Sequence, residues 1–454
     1  MEKSFKRQHP EFRILDKSVR KQGDRYYFVA ESYGKFYLVT GNDSFNFIEK
    51  EKASEILREN FPFLKPSCSG YKKSFGFGDR TGYATAGHIR AARKGSFFPI
   101  FAQQSARELE RTGRSFQQVL DDVIFWCFAE GWSGPFGADA DHAKNFETLQ
   151  DAISAGFTFF TIDPSEKIKI PEKQFGIDGD KYNFYLKQYS GKKISIKEFS
   201  FVFTDDIIID LVSTYADALD FIQQCYVYIS NKRKDFDFEV SIDETKISTS
   251  PYAHVFVVME LLRRKINFQS LALRFTGRFE KGVDYIGDIE KFSRDLMVHN
   301  DIRNYFGPYK ISLHSGSDKF SIYRKFKDIV GDFFHVKTSG TSWIEAMKTI
   351  AVGDRNLFVD CMDVAMKNFV KNAASYEISA DISKINMEEI KQKDIQNIFS
   401  DKNIRQVIHI SYGSIIGSEN PQLKNRFFST IERSFELYTQ FVEEHLGCHI
   451  RLLS

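Results

Sequence analysis

From about residue 72 onward, short apolar runs alternate with longer amphipathic stretches. Residues 98–102, 136–141, 157–162, 236–242, 271–275, 310–313, 333–336 and 407–410 read as strands. Most are followed by a cluster of Gly, Ser or Pro and then by a helical run such as 115–128 or 252–264. Repeated strand-then-helix order predicts parallel strands joined by crossover helices. Eight strands are what a closed (β/α)8 TIM-type barrel wants. Residues 75–78 are a ninth candidate, so the first strand is open by one place.

A small separate unit precedes this rhythm, and two later stretches break it. Residues 26–30 and 35–39 flank a Ser-Tyr-Gly turn and predict a hairpin. A short helix over about 53–60 follows, and Pro62, Pro66 and Gly70 close the segment. The expected organisation is therefore α/β: a small N-terminal α+β unit over 1–70 and a barrel over 71–454. Residues 165–205 are Lys-rich and strand-like at 193–196 and 199–203, an insertion after one strand. Residues 378–402 are charged and helical, predicting a surface helix before the last strand.

Composition narrows the class. The 454 residues carry 63 basic and 61 acidic side chains, a formal net charge of +2. That balance gives no reason to expect a nucleic-acid or membrane-surface partner. The five cysteines (Cys68, Cys127, Cys225, Cys361 and Cys448) form no CxxC pair, which suits a reducing compartment. No apolar segment follows the polar start Met1-Glu2-Lys3-Ser4, and no run approaches a membrane span. The expectation is a cytoplasmic protein, with a homo-oligomer left open.

Candidate chemistry lies where the strands end. Gly137-Ala138-Asp139-Ala140-Asp141-His142 ends in Asp-His, and Thr161-Ile162-Asp163 in Asp. Glu239, Asp243 and Glu244 follow one another on or just past a single strand. Arg274 ends another, His314-Ser315-Gly316-Ser317-Asp318-Lys319 a further one, and His335-Val336-Lys337 the next. In a barrel these ends share one rim, where the active site is built. His142, His314 and His335 with Glu239 or Glu244 offer imidazoles and a carboxylate to a divalent cation such as Zn, Mn, Ni or Co. Any one of these histidines read alone is more simply a hydrogen-bonded structural residue. Arg80, Arg274, Lys319 and Lys337 place cations near the same rim, which suits a carboxylate-bearing substrate. For each one singly, a salt bridge to a neighbouring acid explains it as well. Gln103, Asp163 and Ser317 complete the expected substrate-binding set.

With these motifs in view the chain resembles the tagaturonate epimerase family. The resemblance is carried by Ser74-Phe75-Gly76-Phe77-Gly78-Asp79-Arg80, by Pro99-Ile100-Phe101-Ala102-Gln103-Gln104-Ser105, and by residues 137–142, 155–165, 239–250, 278–285, 314–320 and 335–343. These run from about residue 72 to 385. A more distant similarity is to class II aldolases and the tagatose-bisphosphate aldolase accessory subunit, which also carry an Asp-His strand end. That likeness implies proton transfer by Asp141, with Glu244 or Asp139 as second candidates, and a metal on His142. Asp318 follows the small-residue loop where an aldolase would take phosphate, which favours an unphosphorylated keto-sugar acid.

The family resemblance implies inversion of the carbon β to a ketone. A proton there lacks enolate resonance, and no dinucleotide fingerprint is present for an oxidation–reduction route, so no nicotinamide cofactor is expected. Retro-aldol cleavage and re-addition on a metal remain. The rival readings are a sugar-acid aldolase that releases its fragments and a non-catalytic barrel subunit of such an aldolase.

Overall fold

The computed structural model describes residues 1–169, 179–245 and 247–454. Eight parallel strands close into a barrel: β1 (Ser74–Gly78), β2 (Phe98–Ser105), β3 (Gly137–Ala143), β4 (Phe159–Ile162), β5 (Asp237–Ser241), β6 (Ser270–Ala272), β7 (Lys310–Leu313) and β8 (Phe334–Thr338). Each pairs with its sequence neighbour, and β8 returns to β1 with His335 opposite Ser74. Residues 75–78 thus belong to the first strand.

Residues 407–410 are not a strand, correcting the sequence expectation. They end the helix Lys402–Ile410, whose N-terminus is capped by the Asp401 carboxylate accepting from the amides of Asn403 and Ile404. Ile404, Val407 and Ile408 lie on its buried face, an i, i+3, i+4 spacing that the short, mostly apolar run 407–410 conceals. The charged stretch before it forms two short helices, Met387–Gln392 and Ile395–Ser400, and no strand follows among the described residues.

The N-terminal unit is an antiparallel sheet in which the hairpin Arg25–Ser32/Lys35–Gly41 is central. Its helix Lys50–Asn60 packs on the barrel helix Phe116–Ala129. Phe36 touches Trp126 at 4.9 Å and Phe435 at 4.6 Å between ring centroids, tying the unit to the barrel core. In the insertion, the helix Gly179–Tyr189 and the hairpin Lys193–Ile196/Phe199–Val202 precede a long helix Asp205–Ser230. Residues 170–178 lie outside the described residues. Tyr185 and Tyr189 donate to Glu260 at 3.2 and 2.5 Å, anchoring the insertion to the helix Pro251–Arg263.

After β8 the chain is helical to its end. The last helix, Phe435–Leu453, packs closely on the helices Thr85–Ala92 and Thr341–Gly353. Gly87 permits this approach, because a Cβ there would fall 2.7 Å from Val442. No helix among the described residues is long and apolar enough to cross a membrane.

Candidate active site

The barrel interior carries a cluster of buried charges toward its C-terminal rim. Lys337 Nζ lies 2.8 Å from Asp139 Oδ2, 2.8 Å from Asp141 Oδ1 and 2.9 Å from Glu239 Oε1, and also donates to Thr161 Oγ1. All of these side chains are buried. Burial alone would push the three carboxyls up and the ammonium down. The charges oppose that, so Lys337 is held well above its ordinary value. Asp141 and Glu239 are held below the usual carboxylate range, chiefly by Lys337 against the cost of burial. Asp139 is the exception: burial pushes it up to about 7 despite Lys337.

Two imidazoles stand beside this cluster. His314 Nε2 is 2.7 Å from Glu239 Oε1 and its Nδ1 is 3.1 Å from Asp243 Oδ1. His142 Nδ1 is 3.0 Å from Asp163 Oδ2, and the two rings meet edge to face with centroids 4.8 Å apart. Burial disfavours both imidazolium ions, but the carboxylates outweigh it, raising His142 to about 9 and His314 to about 10. His142, Asp243 and His314 each offer a ligand atom within 4.8 Å of the others, as do His142, Asp163 and Glu244. Two imidazoles fixed by carboxylates at a barrel mouth are a donor set suited to a borderline divalent cation.

A bulge makes this geometry. In β3 the register against β4 slips between Ala140 and Ala143, and His142 adopts φ +52°. Regular alternation would send Asp141 and His142 to opposite faces; the extra residue brings both to the rim. A second slip, in β2 between Ile100 and Ala102, places Gln103 in the cavity that His142, His314 and Lys337 also line. Both carboxamide atoms of Gln103 are buried without a hydrogen-bond partner among the described residues. Gly76 makes room for it, since a Cβ there would meet Gln103 Oε1 at 1.6 Å.

Other predicted residues sit elsewhere. His335 lies one layer deeper, fully buried, with Nδ1 2.9 Å from Ser74 Oγ. Ser74 also receives Lys310 Nζ at 3.0 Å, so His335 belongs to the polar column in the barrel floor and to none of the compact ligand groups found among the described residues. Arg80 is buried, paired with Glu108 at 2.7 Å and stacked over Tyr412 at 3.9 Å. Arg274 pairs with Glu377 at 2.6 Å. Lys319 donates to the carbonyls of Glu280, Val283 and Ser317 at 2.9, 2.6 and 2.9 Å, which fixes the β7 loop, and burial brings it down to about 8. Ser317 is buried within that loop. Glu244 is exposed at the cavity mouth, and its neighbour Asp243 is the carboxylate that reaches His314.

Asp318 faces away from the mouth, toward the last helix, which removes it as a barrier to phosphate. Its carboxylate pairs with Arg405 at 2.9 Å and His445 at 2.5 Å. His449 completes a third compact group there, but its Nε2 accepts the Asp318 amide at 3.0 Å, so that lone pair is committed and the group serves as a pin.

A family model described as tagaturonate epimerase matches residues 15–453. The chain belongs to the tagaturonate epimerase family. A curated tagaturonate/fructuronate epimerase of Thermotoga maritima, a member by its name, is 42% identical over 471 aligned positions, covering 97% of each chain. Two crystal structures of the fructuronate-tagaturonate epimerase UxaE of Cohnella laeviribosi, one native and one holding a glycerol, superpose with a TM-score of 0.91 at 31% identity. They cover 99% of this chain and 98% of theirs. The tagaturonate epimerase fold therefore extends over the N-terminal unit and the C-terminal helices as well as the barrel.

Proposed function

We propose that the protein interconverts tagaturonate and fructuronate by inverting C4 (ketose numbering), through metal-assisted retro-aldol cleavage and re-addition. Family membership and the activities named for its relatives support the substrate pair. The observation that carries the mechanism is the meeting of His142 and His314 with Asp243 beside the Lys337-bridged carboxylates. His142 and His314 would hold the cation with Asp243 or Glu239. When bound, a divalent cation supplies Lewis-acid polarisation of the ketone and charge stabilisation for the enediolate.

The protein's own groups handle the protons. Asp141 lines the cavity and is ionised, so it can accept the C4 hydroxyl proton as the C3–C4 bond breaks. The electron pair passes into the ketone fragment as an enediolate, leaving a three-carbon aldehyde that bears the carboxylate. Rotation of that aldehyde presents its other face. Re-addition forms the same bond with inverted configuration, and Asp141 returns the proton to the new alkoxide. Lys337 keeps Asp141 ionised, and Asp139 can exchange a proton with the same cluster. Asp163 orients His142 by fixing its Nδ1.

Incubation with tagaturonate, with and without chelator, tests this reading. Fructuronate should accumulate, chelation should abolish turnover and added Zn, Mn, Ni or Co should restore it. Exchange of an added labelled three-carbon aldehyde into product supports cleavage; solvent deuterium at C4 would instead mean direct proton transfer and overturn the retro-aldol route. Release of free aldehyde in stoichiometric amount would identify an aldolase.

A further inference from the structure

Among the described residues, four Arg and Lys side chains line the cavity at the barrel mouth: Arg80, Arg107, Lys281 and Lys337. Two are spent. Arg80 is paired with Glu108, and Lys337 is surrounded by three carboxylates. Arg107 and Lys281 make no ion pair with any described residue. We propose that these two side chains hold the substrate's carboxylate, a reading that rests on the keto-sugar acid proposed above.

Their construction fits the task. Arg107 lies in the helix Ala106–Thr112 that follows β2, close behind Gln103. Its guanidinium lies over the Tyr376 ring at 4.7 Å, which keeps the plane fixed while leaving the edges for a ligand. One terminal nitrogen donates to the Ser375 carbonyl at 3.2 Å, and Nε is buried without a hydrogen-bond partner among the described residues. A buried guanidinium N–H without an acceptor is costly until an oxygen reaches it. Lys281 comes from the loop after β6, and its Nζ donates to Ser315 Oγ at 2.7 Å, one residue past His314. The Ser375–Glu377 segment binds this part of the rim together. It accepts from Arg107 and Arg111, and its Glu377 pairs with Arg274.

The pairing also suits the chemistry. Cleavage leaves the carboxylate on the fragment whose aldehyde must turn. A cation pair gripping that carboxylate retains the fragment while its other end rotates, which distinguishes an epimerase from an aldolase that releases it.

Titration calorimetry on the full-length, metal-loaded protein tests the assignment with two probes: tagaturonate, and the neutral ketohexose with a hydroxymethyl group in place of the carboxylate. Wild type should prefer the acid. Arg107→Met and Lys281→Met should each weaken the acid by about tenfold or more while leaving the neutral sugar nearly unchanged, and Arg107→Lys should recover part of the loss. Retained preference in both Met variants, or an equal loss for both sugars, overturns the proposal. Wild-type turnover is assayed separately. Acid-selective binding without epimerisation would sink the proposed reaction and leave the carboxylate site standing.

Discussion

Lys337 Nζ and Asp139 Oδ2 meet at 2.8 Å inside the barrel, and the same nitrogen is shared with Asp141 and Glu239. One buried cation thus serves three buried carboxyls. Replacing it with Met leaves those carboxyls without compensation and should destabilise the protein by about 3–5 kcal/mol. In the variant their folded pKa values rise above the unfolded ones, so the deficit should grow as pH rises from 5 to 8. Urea denaturation of Lys337→Met and wild type at both pH values reads this. A deficit that is the same at both would mean that the carboxyls are neutral in the native protein.

Asp141 and Asp139 differ in reach and in state, and their Asn variants should differ accordingly. Asp141 lines the cavity and is held ionised, so Asp141→Asn should lower kcat by about 10²–10⁴-fold with a smaller effect on KM. Asp139 is fully enclosed and burial pushes it up to about 7, so Asp139→Asn removes less charge than Asp141→Asn and should cost less turnover. Steady-state kinetics of both variants decide this; a larger loss in the Asp139 variant would move the proton-carrying role inward.

The strand rhythm was legible in the sequence because parallel strands buried on both faces read as short apolar runs between helices. It failed at 407–410, where a helix shows only four consecutive residues, three of them apolar. The rim residues Asp139, Asp141, His142, Glu239, His314 and Lys337 were legible as strand ends, and the structure brings them together. What the sequence could not convey was direction. The β3 bulge that turns His142 inward leaves no mark in residue type, and Asp243 looks no different from Glu244. The cations were opaque for another reason: Glu377, the partner of Arg274, is 103 residues away, and Lys319 spends itself on backbone carbonyls. Arg107 and Lys281 had no strand-end position to single them out.

Gly76 and Gln103 offer a way to disturb the cavity without touching a charge. A methyl group at residue 76 would occupy the place of Gln103 Oε1, which is the far end of a flexible side chain. Gly76→Ala should therefore fold with little change in Tm while displacing the carboxamide. If Gln103 binds substrate, KM should rise to the level of Gln103→Ala, and combining both changes should add little more. Additive effects in the double variant would show that the glycine acts independently of Gln103.

The pin between the β7 loop and the last helix should make stability depend on alkaline pH. His445 Nε2 faces Asp318 at 2.5 Å, and its Nδ1 faces Glu345 at 3.2 Å. Arg405, which pairs with the same Asp318, and the ring of His449, which burial brings down to about 4 and so keeps neutral, also face it. Burial opposes the imidazolium, but Asp318 and Glu345 outweigh it and raise the pKa above the ordinary histidine value. A raised folded pKa contributes stability that is complete below the unfolded value of about 6.5 and is lost as pH climbs through the folded one. His445→Gln should therefore cost about 1–2 kcal/mol at pH 6 and progressively less toward pH 9. Denaturation midpoints measured across that range give the comparison. A cost independent of pH would show that His445 holds Asp318 as a neutral hydrogen-bond donor, and that the β7 loop next to His314 is pinned by shape instead of charge.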